Sequence, residues 1–152
     1  MKYIYSCLLS IMLGCSQSKV QENTSSDFSL KSKAVIEDFF ENVKSGNYNA
    51  SLKGLLSKNK NIDLLDSLTI SLENKFAAIN ESSGKFMSKR LLRQKELESD
   101  LGVYVYLVKY EKKFYRFTFT FYNNDVEVKL YKFSFDDTID VEIEEGIKLY
   151  VN

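Results

Sequence analysis

The chain of 152 residues contains no histidine, no tryptophan and no proline, and it has only two cysteines, Cys7 and Cys15. Each absence removes a chemistry. Without histidine there is no Ser-His-Asp or Cys-His catalysis, no histidine-ligated zinc and no side chain that ordinarily titrates near neutral pH. Catalysis would have to rest on carboxylates, tyrosine, lysine, arginine or a bound cofactor. The six glycines are scattered, and Gly84-Lys85 lacks the preceding glycine of a phosphate-cradling loop. An excess of either charge is missing too. The 21 Lys and Arg balance 21 Asp and Glu, which leaves no net field to attract nucleic acid or an anionic membrane surface. The inventory leads us to expect no cofactor, no metal and no nucleic-acid partner.

What is present begins at the cysteines. Lys2 precedes an apolar run from Ile4 to Leu13, broken only by Ser6, Cys7 and Ser10, and Gly14 then leads into Cys15. This is the layout of a secretory leader, and the run is too short to span a bilayer as a helix. Leu13-Gly14-Cys15 resembles the lipobox of bacterial lipoproteins. The resemblance implies removal of residues 1–14 and a lipid on Cys15, which becomes the first residue of the mature chain. Cys7 would leave with the leader, so neither a disulfide nor a free thiol would remain. Loss of Lys2 would leave the mature chain one charge negative. More than one acyl chain on Cys15 would hold it stably in a membrane. An ordinary leader cut at another bond, with Cys15 incidental, explains the same run. Ser16 after the cysteine, where Asp would signal inner-membrane retention in some bacteria, leans towards the outer membrane.

Residues 16–30 are rich in Ser, Gln, Asn and Thr without periodicity and read as a flexible tether, about 20 Å in root-mean-square reach. The domain then occupies residues 31–152. Val35-Ile36, Phe39-Phe40 and Val43 recur at helical spacing over 32–44, with Ser32 as cap and Gly46 as stop. Asn47 would cap a second helix carrying Tyr48, Leu52, Leu55 and Leu56. A third is expected from about Ile62, on Leu64, Leu68, Leu72, Phe76 and Ile79. After Gly84 the pattern becomes that of strands: 86–97, 103–110, 114–122, 126–135 and a last one near 140–150. Asn123-Asn124-Asp125 forms a hairpin turn between the third and fourth. In 114–122, Tyr115, Phe117, Phe119 and Phe121 point one way and Arg116, Thr118 and Thr120 the other. Three helices followed by four or five antiparallel strands define an α+β domain with one sheet face packed on the helices.

The Phe39-Phe40 helix, then Ser45-Gly46-Asn47-Tyr48, two more helices and a Tyr- and Phe-rich meander resemble the cone-like α+β rolls of the ketosteroid-isomerase-like and nuclear-transport-factor-like superfamily. The resemblance implies a curved sheet wrapped around helices with a cavity at its open end. It carries over no active-site residue, since no catalytic Tyr-Asp-Asp set can be matched.

Candidate sites follow from residue type. Tyr104, Tyr106, Tyr110, Tyr115 and Tyr131 would line a pocket for an apolar or sugar-like ligand, or else belong to the core. Arg116 would clamp a carboxylate or phosphate, or lie across the exposed sheet face. The acidic run Asp136, Asp137, Asp140, Glu142, Glu144, Glu145 and the basic run Lys85, Lys89, Arg90, Arg93, Lys95 read as partners across the sheet, not as a metal site. The preferred functional expectation is a membrane-anchored envelope lipoprotein with a non-enzymatic domain that binds a small apolar ligand or another envelope protein. The alternative is an enzyme using a carboxylate base in the cavity. Self-association through the sheet is a further expectation.

Overall fold

The computed structural model describes residues 27–139, Ser99 apart, together with Glu144. Helices α1 (Asp27–Lys44), α2 (Tyr48–Leu56) and α3 (Ser67–Ser83) are followed by strands β1 (Phe86–Leu97), β2 (Leu101–Tyr110), β3 (Phe114–Asn123) and β4 (Val128–Asp136). The strands form one antiparallel meander in the order β1-β2-β3-β4, an α+β architecture with the helices on one face of an open, curved sheet. The strand expected near 140–150 lies outside the described residues, except for Glu144.

Helix α1 starts earlier than the spacing of its large apolar residues suggested, inside the segment read as tether. Asp27 pairs with Lys31 at 2.6 Å, one turn on, and its charge favours the helix N-terminus. Ser32, expected as the cap, is instead a fully buried mid-helix residue. Phe28 explains the extension, because its ring crosses the backbone of β2 at Gly102. A β-carbon on Gly102 would fall 2.7 Å from the Phe28 ring and 3.0 Å from that of Tyr104. Gly102→Ala is therefore expected to cost about 1–3 kcal/mol in denaturant unfolding. An unchanged midpoint would remove Phe28 from the core. Gly46, at φ +80, ends α1 by taking the left-handed conformation, and its N–H donates to the Val43 carbonyl at 3.0 Å.

Asn47 precedes α2 as expected, but its side chain makes no capping bond; its carbonyl accepts from Ser51 N–H at 2.9 Å. Helix α3 begins five residues later than its leucines suggested. The Asp63 carboxylate accepts from Leu65 N–H at 2.8 Å in a turn ahead of the helix, and Asp66 caps α3, its carboxylate accepting from Leu68 N–H at 3.0 Å and its carbonyl from Ile70 N–H at 3.0 Å. Leu64 and Leu65, ahead of the helix, and Leu68 in its first turn are exposed, and Phe76 and Ile79 carry the buried face.

The strand register sorts the sheet into rows. On the face towards the helices, Gln94, Tyr104, Phe119 and Phe133 form one cross-strand row and Leu91, Tyr106, Phe117 and Phe135 the next. Phe39, Phe40 and Phe76 fill the space above them: Phe39 lies 5.4 Å from Phe119 and 5.3 Å from Phe133, centre to centre, and Phe76 lies 5.9 Å from Phe117. On the other face the rows are Leu97, Leu101, Tyr122, Lys129; then Lys95, Val103, Thr120, Lys132; then Arg93, Val105, Thr118, Ser134; then Arg90, Leu107, Arg116, Asp136. Two irregularities bend β1, and a third breaks the β3–β4 ladder, where Thr120 pairs with Lys132 but Phe121 with Leu130. Tyr131 is the extra residue of that bulge.

Candidate functional site

Four of the tyrosines nominated from the sequence are core residues. Tyr104, Tyr106, Tyr110 and Tyr115 are all buried on the helix-facing side, where phenylalanine rings occupy the space a ligand would need. Tyr106 stands edge-on to Phe119 at 6.0 Å and Tyr110 to Tyr115 at 5.6 Å. Their hydroxyls are bound internally where partners exist: Tyr104 donates to Glu96 Oε1 at 2.8 Å, and Tyr115 shares a 2.7 Å bond with Ser83. Burial raises the Tyr106 phenol to about 12, with the Glu37 carboxylate adding to the effect. Such groups stay protonated at physiological pH and offer no base.

Arg116 does clamp a carboxylate, but one belonging to its own chain. It faces Asp136 across the β3–β4 ladder, with Nη2 at 3.0 Å from Oδ1 and Nε at 3.2 Å from Oδ2. The fork is thereby committed to structure. Of the acidic run, Asp136 and Asp137 take partners other than the basic run, which lies on β1, three strand spacings from β4, while Asp140, Glu142 and Glu145 lie outside the described residues. Asp136 pairs with Arg116 and Asp137 with Lys113 at 3.6 Å, while Lys89 turns to the helix side, where it pairs with Glu37 and lies 4.7 Å over the Phe40 ring.

Tyr131 has a different fate. In a regular strand it would share the inward face with Phe133 and Phe135; the bulge turns it outward, 67% exposed. There it meets Tyr122 edge-on at 6.3 Å, and the two rings stand with Leu101, Asn59 and Asn61 around a recess of about 570 Å³. Asn59 is held at both ends of its amide: Nδ2 donates to the Leu130 carbonyl at 2.8 Å and Oδ1 accepts from Asn61 N–H at 3.0 Å. The connection between α2 and α3 is thus tied to β4 beside the bulge, which fixes the far wall. The recess is apolar and aromatic with an amide rim, and among the described residues no carboxylate, amine or thiol lines it. That composition suits stacking and hydrogen bonding and supplies no proton-transfer pair.

Among the described residues no group of three or more His, Cys, Asp or Glu is placed to hold a metal ion, and no helix is long and apolar enough to cross a membrane. Cys15 lies outside the described residues. No family model matches the chain, and no curated protein matches it. A crystal structure of a DUF4783 family protein from Bacteroides uniformis is similar to it at a TM-score of 0.45 and 15% identity, over 67% of this chain and 95% of that one.

Proposed function

We propose that this chain is a lipid-anchored protein of the bacterial envelope whose α+β roll is a non-enzymatic binding module, with the Tyr122–Tyr131 recess as its ligand site. The observation that carries the binding reading is Tyr131. A large aromatic ring turned into solvent by a bulge, set against a second ring over an apolar hollow, is the arrangement that receives a ring-shaped or sugar-like ligand. The address rests on the leader-like run and on Gly14-Cys15. Ser16 favours the outer membrane.

Mass spectrometry of the protein extracted from its own membranes tests both halves. The denatured mass is expected to match a chain starting at Cys15 plus acyl groups, and the native mass to carry a stoichiometric small adduct. Tyr131→Ala is expected to abolish the adduct while changing stability by no more than about 0.5 kcal/mol, as for an exposed side chain outside the core. An adduct that survives Tyr131→Ala places the ligand elsewhere. A native mass with only a second protein attached would favour a docking role instead.

A further inference from the structure

We infer that the outer face of the sheet is a trough for an acidic polysaccharide, and that the tyrosine recess closes one end of it. This rests on the binding-module reading above and names the ligand class. Although the whole chain is neutral, the outer face of the sheet carries more cations than carboxylates among the described residues. The outer rows carry Arg90, Arg93 and Lys95 on β1 and Lys129 and Lys132 on β4; Asp136 is already held by Arg116, and Lys129, mostly covered, is paired with Glu127 at 3.3 Å. Among the described residues Arg90, Lys95 and Lys132 enter no ion pair.

Side-chain length shapes the face. Between the two cationic edges the middle strands present only short side chains over two successive rows, Val103 and Val105 on β2 and Thr118 and Thr120 on β3. Lys95 and Lys132 are the two ends of one row, three strand spacings or roughly 14 Å apart. The result is a low floor with hydroxyls and methyls, with Arg90, Arg93 and Lys95 along one side and Lys132 on the other. Lys95 and Arg90 pair with Val103 and Leu107, four steps apart on β2 and so roughly 13 Å along the strand, further than one small anion reaches. Tyr122 stands one row beyond Lys95 and Lys132, so a chain lying in the trough runs into the aromatic recess.

Repeating negative charge on a hydroxylated polymer matches each part: cations for carboxylates or phosphates, threonines for hydroxyls, a tyrosine for a sugar ring. Single-stranded nucleic acid fits less well, because the floor offers no aromatic ladder for successive bases. A bilayer fits less well, because the apolar residues of the floor are half-buried and recessed behind the cations.

The test uses the full protein in detergent, titrated with polygalacturonate and, in parallel, with neutral dextran, oligothymidylate and phosphatidylglycerol vesicles. Polygalacturonate is expected to bind best, with affinity falling steeply as salt rises. Lys95→Glu with Lys132→Glu should weaken it at least about tenfold with the thermal midpoint unchanged, whereas Lys53→Glu with Lys75→Glu on the helices should weaken it by less than about twofold. Equal dextran binding that Tyr131→Ala abolishes would overturn the acidic trough and leave the recess reading intact. A native small-molecule adduct with no polymer binding would do the same. Failure of both polymers together with loss of any adduct would sink both readings. Preference for oligothymidylate, vesicle binding that Lys95→Glu with Lys132→Glu abolishes and that therefore does not come from the lipid anchor, or polymer binding that appears only after residues 140–152 are removed, would overturn the inference by giving the face another occupant.

Discussion

Phe39→Ala is expected to lower the unfolding free energy by about 3–5 kcal/mol, the range for removing a large aromatic ring from a core that cannot collapse around the gap. The ring is 1% exposed and lies within 5.3 to 6.2 Å of five others: Phe40, Phe76, Phe117, Phe119 and Phe133. These partners come from two helices and two strands, so no single element can move in to fill the space. A domain of this size has about 5–15 kcal/mol in all, and the loss would leave a marginal fold. The check is urea unfolding followed by circular dichroism, with an unchanged m-value showing that the denatured state is not the cause. Phe114→Ala removes the same ring from a 40%-exposed site and should cost about 0.5 kcal/mol or less, which separates packing from composition. Phe76→Ala shares the cavity with Phe39→Ala, so the double variant should fall short of the sum of the two single losses. Additive losses would mean that the two rings sit in independent pockets.

The strands were legible because their pattern is locally complete. Alternation of Tyr115, Phe117, Phe119 and Phe121 with Arg116, Thr118 and Thr120 assigns β3 and both its faces, and the structure buries the aromatic set. The bounds expected for β1 match those found, and Asn123 and Asn124 fold back on the backbone of the next residues as turn formers do. The helix starts were less legible, because they depend on single contacts. One phenylalanine, Phe28, decides where α1 begins, and its partner is a glycine 74 residues on. At α3 the start is set by Asp66, which caps the helix, and by the Asp63 turn before it, not by the leucine spacing.

The candidate site was legible only at Tyr131, and for a reason the sequence does not carry. An aromatic strand looks the same whether it walls a cavity or meets a packed helix; the choice depends on Phe39, Phe40 and Phe76 reaching across to fill the hollow. Period-two reading also places Tyr131 with Phe133 and Phe135, and only the bulge separates them. Asn59, Asn61, Leu101 and Tyr122 have no motif, since they meet only when the α2–α3 connection is tied to the Leu130 carbonyl. The charge segregation of the outer face is hidden for a similar reason. It arises from register, with Lys95 and Lys132 at opposite ends of one row, while net charge sums over all faces alike.

Raising the pH is expected to unfold the domain between about pH 10 and 12, well before general alkaline damage, because its buried tyrosines resist ionisation. Burial raises the phenols of Tyr48, Tyr104, Tyr106 and Tyr110 above the ordinary value of 10.0, with Tyr106 at about 12. Below pH 10 these groups are protonated in both folded and unfolded chains, so they add no pH dependence. Above it the unfolded chain releases protons that the folded chain keeps. The folded state then loses stability with every further unit of pH until the folded phenols ionise as well. Each tyrosine contributes a slope approaching about 1.4 kcal/mol per pH unit, and several acting together exceed the roughly 5–15 kcal/mol of a whole domain within a few units. Tyr106→Phe isolates one of them. It keeps the ring against Phe40 at 5.4 Å and against Phe119, and removes the group that ionises. Its stability at pH 7 should change little, whereas its alkaline midpoint, followed together by tyrosinate absorbance and circular dichroism, should move to higher pH. A midpoint that does not move would mean that the Tyr106 hydroxyl ionises as freely in the fold as out of it, and that water reaches the row of rings above which Phe40 is packed.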